Sequence, residues 1–165
     1  MEINLLPILN YEGKRINISE DVDISASKDD SFEIKAPIHF DGSAINIGGT
    51  IELSGSASAS LSFICDRCAE RYDATIDYQV DERFKKDDGL NSADEDLDIS
   101  LLSGVAIDLD ELLYTNLILN IPSKSLCRED CKGLCFSCGK NLNHGSCDCD
   151  NNKTDPRFDI LDKLL

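Results

Sequence analysis

The stretch that decides the fold runs from Ile45 to Cys65 and reads INIGGTIELSGSASASLSFIC. Its odd-numbered positions are apolar or small, whereas its even-numbered positions are mostly Asn, Ser, Thr, Gly and Glu. Successive side chains of a β-strand point to opposite faces of a sheet, so this alternation predicts one buried face and one solvated face. The run is too long for one strand, and Gly48, Gly49 and Gly55 mark the expected bends or turns.

The same alternation continues on both sides of this stretch. Even-numbered positions carry apolar side chains from Phe32 to Phe40, and again in the run from Tyr72 to Phe84. Alternating runs separated by turn residues are typical of antiparallel sheets that are covered on one face only. We therefore expect an antiparallel β-meander.

Two helices are expected beside the strands. The first lies near residues 108–120, because Asp108 is an N-cap candidate with Glu111 three residues later, and Pro122 ends the segment. Leucines at helical spacing should pack this helix on the sheet: Leu109, Leu112, Leu113 and Leu117. The second, short helix spans 155–165 and begins with an Asp-Pro pair that favours a helix start.

Charge divides the chain into two regions. The 165 residues include 16 basic and 32 acidic side chains, for a net charge of −16. Residues 1–126 carry 25 acidic and 10 basic groups, whereas residues 127–165 are nearly neutral and hold six of the eight cysteines. We interpret 1–126 as an acidic β-rich body ending in a helix, and 127–165 as a Cys-rich metal-binding tail with a C-terminal helix. So negative a chain argues against general binding to nucleic acid or to an anionic membrane.

Within the body, residues 81–98 hold eight acidic and three basic side chains and predict a solvated loop, or else an acidic patch for a basic partner. No nucleophile–base pair, phosphate-binding loop or paired-carboxylate pattern indicates an enzyme. The chain has no stretch long and apolar enough to span a membrane, and its N-terminus lacks the basic region of a signal peptide. We therefore expect a cytoplasmic protein, where cysteines bind metals more often than they form disulfides.

The cysteines fall in three groups whose spacing suits a metal. These are Cys65-x2-Cys68, then Cys127-x3-Cys131-x3-Cys135-x2-Cys138, and finally Cys147-x-Cys149. Two thiolates separated by two residues can turn around one ion, and a second pair completes a tetrahedron. The best candidate ligands for a structural zinc are Cys135, Cys138, Cys147 and Cys149, although His144 could replace one sulfur. The remaining four, Cys65, Cys68, Cys127 and Cys131, make a second site if the fold brings the hairpin at 65–68 to the helix end; otherwise they are free pairs.

Other uses of these cysteines are less consistent with their context. The spacing Cys131-x3-Cys135-x2-Cys138 also occurs in radical enzymes with an iron–sulfur cluster, but those are large α/β barrels. A thioredoxin-like site needs a helix after its first cysteine, and here a strand pattern follows Cys68. A redox switch in which oxidation releases zinc remains an alternative.

Several motifs together resemble the bacterial YceD family. They are CDRC at 65–68, IDLDELL at 107–113, LNIP at 119–122, CREDCKGLCFSCGKNLN at 127–143, CDC at 147–149 and DPRFDIL at 155–161. They cover the chain in order, although proline often stands where this sequence has Phe136. The resemblance implies a role in accumulation of large-subunit ribosomal RNA, and hence in ribosome biogenesis, without an established enzymatic activity. It also implies relatives that serve the plastid ribosome.

The charge suggests how such a role would be carried out. An acidic body should not grip bare RNA, so we expect it to hold a basic ribosomal protein or assembly factor of the large subunit. The alternative is direct RNA contact by the nearly neutral tail, through Arg128, Lys132, Lys140 and Arg157 around the metal. The predicted fold is α+β: an antiparallel meander with one packed helix, a Cys-rich zinc module and a short C-terminal helix.

Overall fold

The computed structural model describes residues 1–24, 31–86, 99–102 and 104–149. Over these residues the protein is α+β, with mostly strands, one main helix and one short helix, which confirms the predicted class. In chain order the elements are β1 (Glu2–Asn4), α1 (Leu6–Leu9), β2 (Arg15–Val22), β3 (Phe32–Ile34), β4 (Ile38–Ile47), β5 (Thr50–Ile64), β6 (Arg71–Lys86), β7 (Ile99–Leu102), β8 (Ala106–Asp108) and α2 (Leu109–Asn120).

The chain forms two compact units. The first, which we name the sheet unit, comprises Met1–Phe63 and Asp73–Ser123. The second, the cysteine unit, comprises Ile64–Tyr72 and the described chain from Lys124 onward. The cysteine unit thus includes the CDRC segment at 65–68, which the charge pattern grouped with the acidic body.

The main sheet has the strand order β2-β4-β5-β6-β7, and β3 pairs with β5 beside this path. Strands β2 and β4 are antiparallel, as are β4 and β5. Strands β6 and β7 are parallel, so the sheet is not the simple antiparallel meander that the alternation predicted. Parallel neighbours need a crossover connection, and the chain between these two strands includes 87–98, outside the described residues.

The hairpin of β4 and β5 corrects the predicted burial of the first strand. In the register Ala44 lies opposite Leu53 and Asn46 opposite Ile51, so even positions of β4 share a face with odd positions of β5. Residues opposite each other in an antiparallel pair point to the same face. The buried apolar positions are therefore even-numbered in β4 and odd-numbered in β5, and the change occurs at the turn between them. Ile47, which we expected on the buried face, is 51% exposed.

Two glycines lie opposite each other in the same hairpin, Gly42 on β4 and Gly55 on β5. A Cβ atom on Gly55 would lie 2.6 Å from the Asp41 carbonyl oxygen and 2.8 Å from Cε2 of Phe40. A Cβ on Gly42 would be similarly close to the Ser54 carbonyl. The buried Phe40 ring fills the space that these missing side chains leave, which explains glycine inside two strands.

Strand β6 is longer than predicted. Residues 81–86, which we assigned to an acidic loop, continue the strand to Lys86. The reason is packing, since the apolar alternation reaches Phe84, which is buried. The rest of the predicted loop, residues 87–98, lies outside the described residues.

The predicted helix is confirmed as α2. Asp108 is its N-cap, and its carboxylate accepts a hydrogen bond from the Asp110 N–H at 3.0 Å. Leu109, Leu113 and Leu117 are buried, as their spacing predicted, and Leu112 is half-buried. The second predicted helix, at 155–165, lies outside the described residues. No described helix has the length and apolar character needed to cross a membrane.

Candidate metal centres

Two short loops with the same local geometry present the CxxC cysteines. In each loop the first cysteine accepts, through its carbonyl, the N–H of the residue four positions later: Ala69 for Cys65 and Gly139 for Cys135. The N–H of the first cysteine in turn donates to the carbonyl five positions later. Ala69 and Gly139 both have a left-handed backbone, with φ of 58° and 73°. Glycine adopts this conformation readily, whereas alanine rarely does, so the sequence gives no indication of the turn at Ala69.

The first cluster joins Cys65 and Cys68 to Cys127 and Cys131, all within the cysteine unit. Its Sγ atoms are 3.8 Å apart between Cys65 and Cys131, and 3.7 Å apart between Cys68 and Cys127. Cys65, Cys68 and Cys131 are buried. The structure thus brings together the four cysteines that the sequence left as either a second site or two free pairs.

The sulfur spacing has the dimensions of a tetrahedral thiolate site. A Zn–S bond is about 2.3 Å, so the edge of a regular ZnS4 tetrahedron is about 3.8 Å. The measured 3.7 and 3.8 Å agree with that edge. A disulfide would instead require about 2.05 Å between sulfurs, and none of the eight cysteines forms one.

Hydrogen bonds to sulfur favour thiolates in the first cluster. The Cys127 N–H donates to Sγ of Cys65 at 3.4 Å, and the Asn143 side-chain amide donates to Sγ of Cys131 at 3.3 Å. Burial acts to raise the pKa of Cys65, but backbone N–H groups of Cys127, Cys68 and Arg67 outweigh it and lower that pKa to about 6. The Asn143 amide lowers the pKa of Cys131.

The second cluster consists of Cys135, Cys138, Cys147 and Cys149, the set that spacing favoured. Its four sulfurs also lie within 4.8 Å of one another. It is more open than the first cluster, because only Cys135 is buried and Cys138 is exposed. Backbone N–H groups of Cys138 and Ser137 lower the pKa of Cys135 to about 6.

Crowding of the sulfurs makes each cluster a site for a cation. Burial and then the neighbouring sulfurs of Cys131, Cys65 and Cys68 raise the pKa of Cys127 to about 12. In the second cluster Cys138 is the main cause that raises the pKa of Cys149 to about 12. Four thiolates in so small a volume repel one another, and a dication at their centre offsets much of that repulsion. The donor set therefore fits a thiophilic divalent ion, and both clusters can bind metal.

Two neighbours of the clusters were not recognised from the sequence as functional. Asn143 accepts the Lys132 N–H at 2.8 Å while its amide reaches Cys131, so it orients the loop and the sulfur together. Glu70 accepts from Nε2 of His144 at 2.7 Å, and its other oxygen lies 3.9 Å from Sγ of Cys68. His144 belongs to neither sulfur cluster and instead pairs with this carboxylate. Sequence spacing alone gives no signal for contacts of this kind.

Comparison with known proteins finds one family model and two curated relatives that share sequence with this chain. Residues 53–165 match the family model described as "Large ribosomal RNA subunit accumulation protein YceD". Over 58 residues the chain is 34% identical to "Large ribosomal RNA subunit accumulation protein YCED homolog 1, chloroplastic" from Arabidopsis thaliana, covering 35% of this chain and 18% of the relative.

A second relative, "Uncharacterized protein ML1660" from Mycobacterium leprae, is 25% identical over 109 residues, covering 65% of this chain and 50% of the relative. The chain thus spans half or less of the length of these curated relatives, and no solved structure matches it. The family match includes all eight cysteines and covers more than half of the chain. The chain belongs to the YceD family, as its motifs indicated.

Proposed function

We propose that the protein is a non-enzymatic ribosome-biogenesis factor that supports accumulation of large-subunit ribosomal RNA. The observation that carries this proposal is the family match over residues 53–165, whose description names that role. The similar chloroplast protein from Arabidopsis thaliana carries the same role in its name.

We further propose that both sulfur clusters bind zinc and that the zinc is structural. Tetrahedral sites with four protein sulfurs are typical of structural zinc, because no coordination position is left for water or substrate. In the first cluster the sulfur spacing of 3.7–3.8 Å supports this assignment. The cysteine unit has few large buried side chains of its own among its described residues, so metal binding would supply much of its folding free energy.

The charge of the sheet unit supports a mechanism through protein contacts. Its described residues include 15 acidic and 6 basic side chains. An excess of this size repels RNA phosphates and attracts basic polypeptides, which include most proteins that bind ribosomal RNA. The proposed partner is a basic ribosomal protein or assembly factor of the large subunit.

The experiment is complementation in a bacterium whose own YceD gene has been deleted. We expect deletion to lower the ratio of large- to small-subunit ribosomal RNA, and the wild-type chain to restore it. Cys65→Ser with Cys68→Ser should fail to restore it, whereas the exposed control Glu12→Gln should succeed. An unchanged RNA ratio after deletion would refute the proposed function.

One observation favours the alternative of direct RNA contact. Phe136 lies between two metal-ligand candidates, Cys135 and Cys138, and is 79% exposed. An exposed aromatic ring can stack on an unpaired base. A gel shift with single-stranded ribosomal RNA fragments, compared between the full chain and Phe136→Ala, tests this alternative. A shift at low salt that Phe136→Ala abolishes would support it, and no shift would remove it.

A further inference from the structure

A groove in the sheet unit combines an apolar floor with an acidic rim. Its volume is about 760 Å³, and strands β7 and β8, helix α2 and the end of β6 surround it. Such a volume is within the roughly 300–1,000 Å³ of pockets that bury a drug-sized ligand. Among its lining residues, Leu101 and Val105 are large apolar side chains that are 58% and 42% exposed.

Negative charge dominates the rim. The lining includes Glu2, Glu82, Asp108 and Glu111, and no lysine, arginine or histidine among the described residues. On β6, Glu82 and Phe84 line the groove, whereas Arg83 between them does not, because successive side chains of a strand point to opposite faces. Glu82 is held in place by the Asn116 amide, which donates to its carboxylate at 3.0 Å.

The groove also borders the last strand of the sheet. Strand β7 ends the strand order, so its outer edge has no neighbouring strand among the described elements. A sheet edge of this kind can pair with an added extended segment through backbone hydrogen bonds. Alternate side chains of such a segment would point to opposite faces of the sheet, one set into the groove and the other beside Leu101, which is paired with Lys85 and so lies on the face opposite Glu82 and Phe84.

We propose that this groove binds an extended segment of a partner protein in which apolar and basic side chains alternate. The basic side chains point into the groove and pair with the carboxylates of Glu2, Glu82 and Glu111, whereas the apolar side chains, on the opposite face of the added strand, pack on the exposed Leu101. Charge complementarity identifies the partner as a basic polypeptide, because an RNA strand would bring its phosphates against the acidic rim. The proposal rests on the proposed function, since it assigns the protein contact of that function to one surface.

The test uses the full zinc-loaded chain and a short fluorescent peptide of alternating leucine and lysine. We expect binding at low salt that weakens as salt is raised, since the rim is exposed. Leu101→Ser and Glu111→Lys should each weaken binding about tenfold or more, a change of about 1.4 kcal/mol. Glu12→Lys makes the same change as Glu111→Lys, and Ile47→Ser a comparable change to Leu101→Ser, at exposed sites outside the groove; both controls should bind like wild type.

Three outcomes would overturn the proposal. They are no binding of the peptide at low salt, equal loss in groove and control variants, and groove-dependent binding of single-stranded RNA instead of the peptide. The peptide assay does not depend on ribosomal RNA levels. If gene deletion lowers the RNA ratio but the peptide fails to bind, only the groove assignment is wrong; if the peptide binds but deletion has no effect, the proposed function is wrong.

Discussion

At the residue scale, Asn46 shows how a polar side chain can specify the core. The alternation placed it on the solvated face, yet it is only 3% exposed. Its amide donates to the carbonyls of Ile8 and Leu9 at 2.8 and 3.0 Å, and its carbonyl accepts the Gly49 N–H at 3.0 Å. These bonds give a donor to the Leu9 carbonyl and a further donor to the Ile8 carbonyl, which also accepts the Tyr11 N–H, so a buried asparagine is favourable at the end of α1. Sequence periodicity cannot predict this, because the partner carbonyls lie far along the chain.

Tyr78 gives a prediction at the same scale. Its buried hydroxyl donates to the Leu113 carbonyl at 3.0 Å and so ties β6 to α2. Tyr78→Phe should lower the free energy of unfolding by about 0.5–1.5 kcal/mol, because the hydroxyl is lost and the buried Leu113 carbonyl loses that hydrogen bond. Urea unfolding measures the change. Tyr11→Phe is the matched control, since Tyr11 is 62% exposed and the substitution should have almost no effect.

The same hydroxyl also predicts how stability depends on pH. Burial raises the pKa of Tyr78 above its usual value of 10, so the unfolded chain ionises at a lower pH than the folded chain. The contribution of the Tyr78 hydroxyl to the free energy of unfolding is therefore fully present below pH 10 and declines as the pH rises above 10. The stability advantage of wild type over Tyr78→Phe should shrink above pH 10. A constant difference across that range would contradict the assignment.

At the scale of elements, the facing glycines of the β4–β5 hairpin give the sharpest prediction. Gly55→Ala should destabilise the protein by about 1–3 kcal/mol, because the new methyl group would overlap a backbone oxygen and the Phe40 ring. Gly104→Ala is the control, since no atom of the described residues lies within 4 Å of a Cβ at that position. Thermal unfolding of the two variants beside wild type makes the comparison. Equal melting temperatures would show that the strands separate to accommodate the methyl group.

The elements also show what the sequence could and could not predict. Helix α2 and the buried face of β5 could be predicted, because each depends only on the spacing of apolar residues within one short stretch of sequence. The phase change at Ile47 and the parallel pairing of β7 depend on register and connection, which the local pattern does not specify. Strand β2 escaped notice because Glu20 interrupts the alternation of Ile16, Ile18 and Val22, and helix α1 escaped notice because it has only four residues.

At the scale of the whole molecule, the cysteines predict the metal content. Elemental mass spectrometry of protein purified without added metal should find about two zinc ions per chain, as expected for two closed four-sulfur sites. Cys135→Ser should reduce this to about one, and Cys65→Ser should also leave about one. Ser146→Ala, in the same unit, should keep both. One zinc in wild type would limit the metal to a single cluster, and none would favour a thiol-based sensor.

The ligand sets were only partly predictable. Cys135, Cys138, Cys147 and Cys149 lie within one short segment, so spacing alone grouped them. The other set joins sulfurs 59 and 66 positions apart, and only the fold determines whether they meet. For the same reason the groove was not foreseen, since its floor and rim come from β6, β7, β8 and α2.

The wide separation in the first cluster sets an order of events during synthesis. Cys65 and Cys68 leave the ribosome long before Cys127 and Cys131, so the nascent chain exposes two thiols with no partners for that interval. The second cluster closes a short loop at low entropic cost, whereas the first must close one of about sixty residues. The first cluster can therefore be completed only late in translation, after all the described strands of the sheet have been synthesised. All four of its sulfurs can thus hold one metal ion only once the chain between the two cysteine pairs has been made.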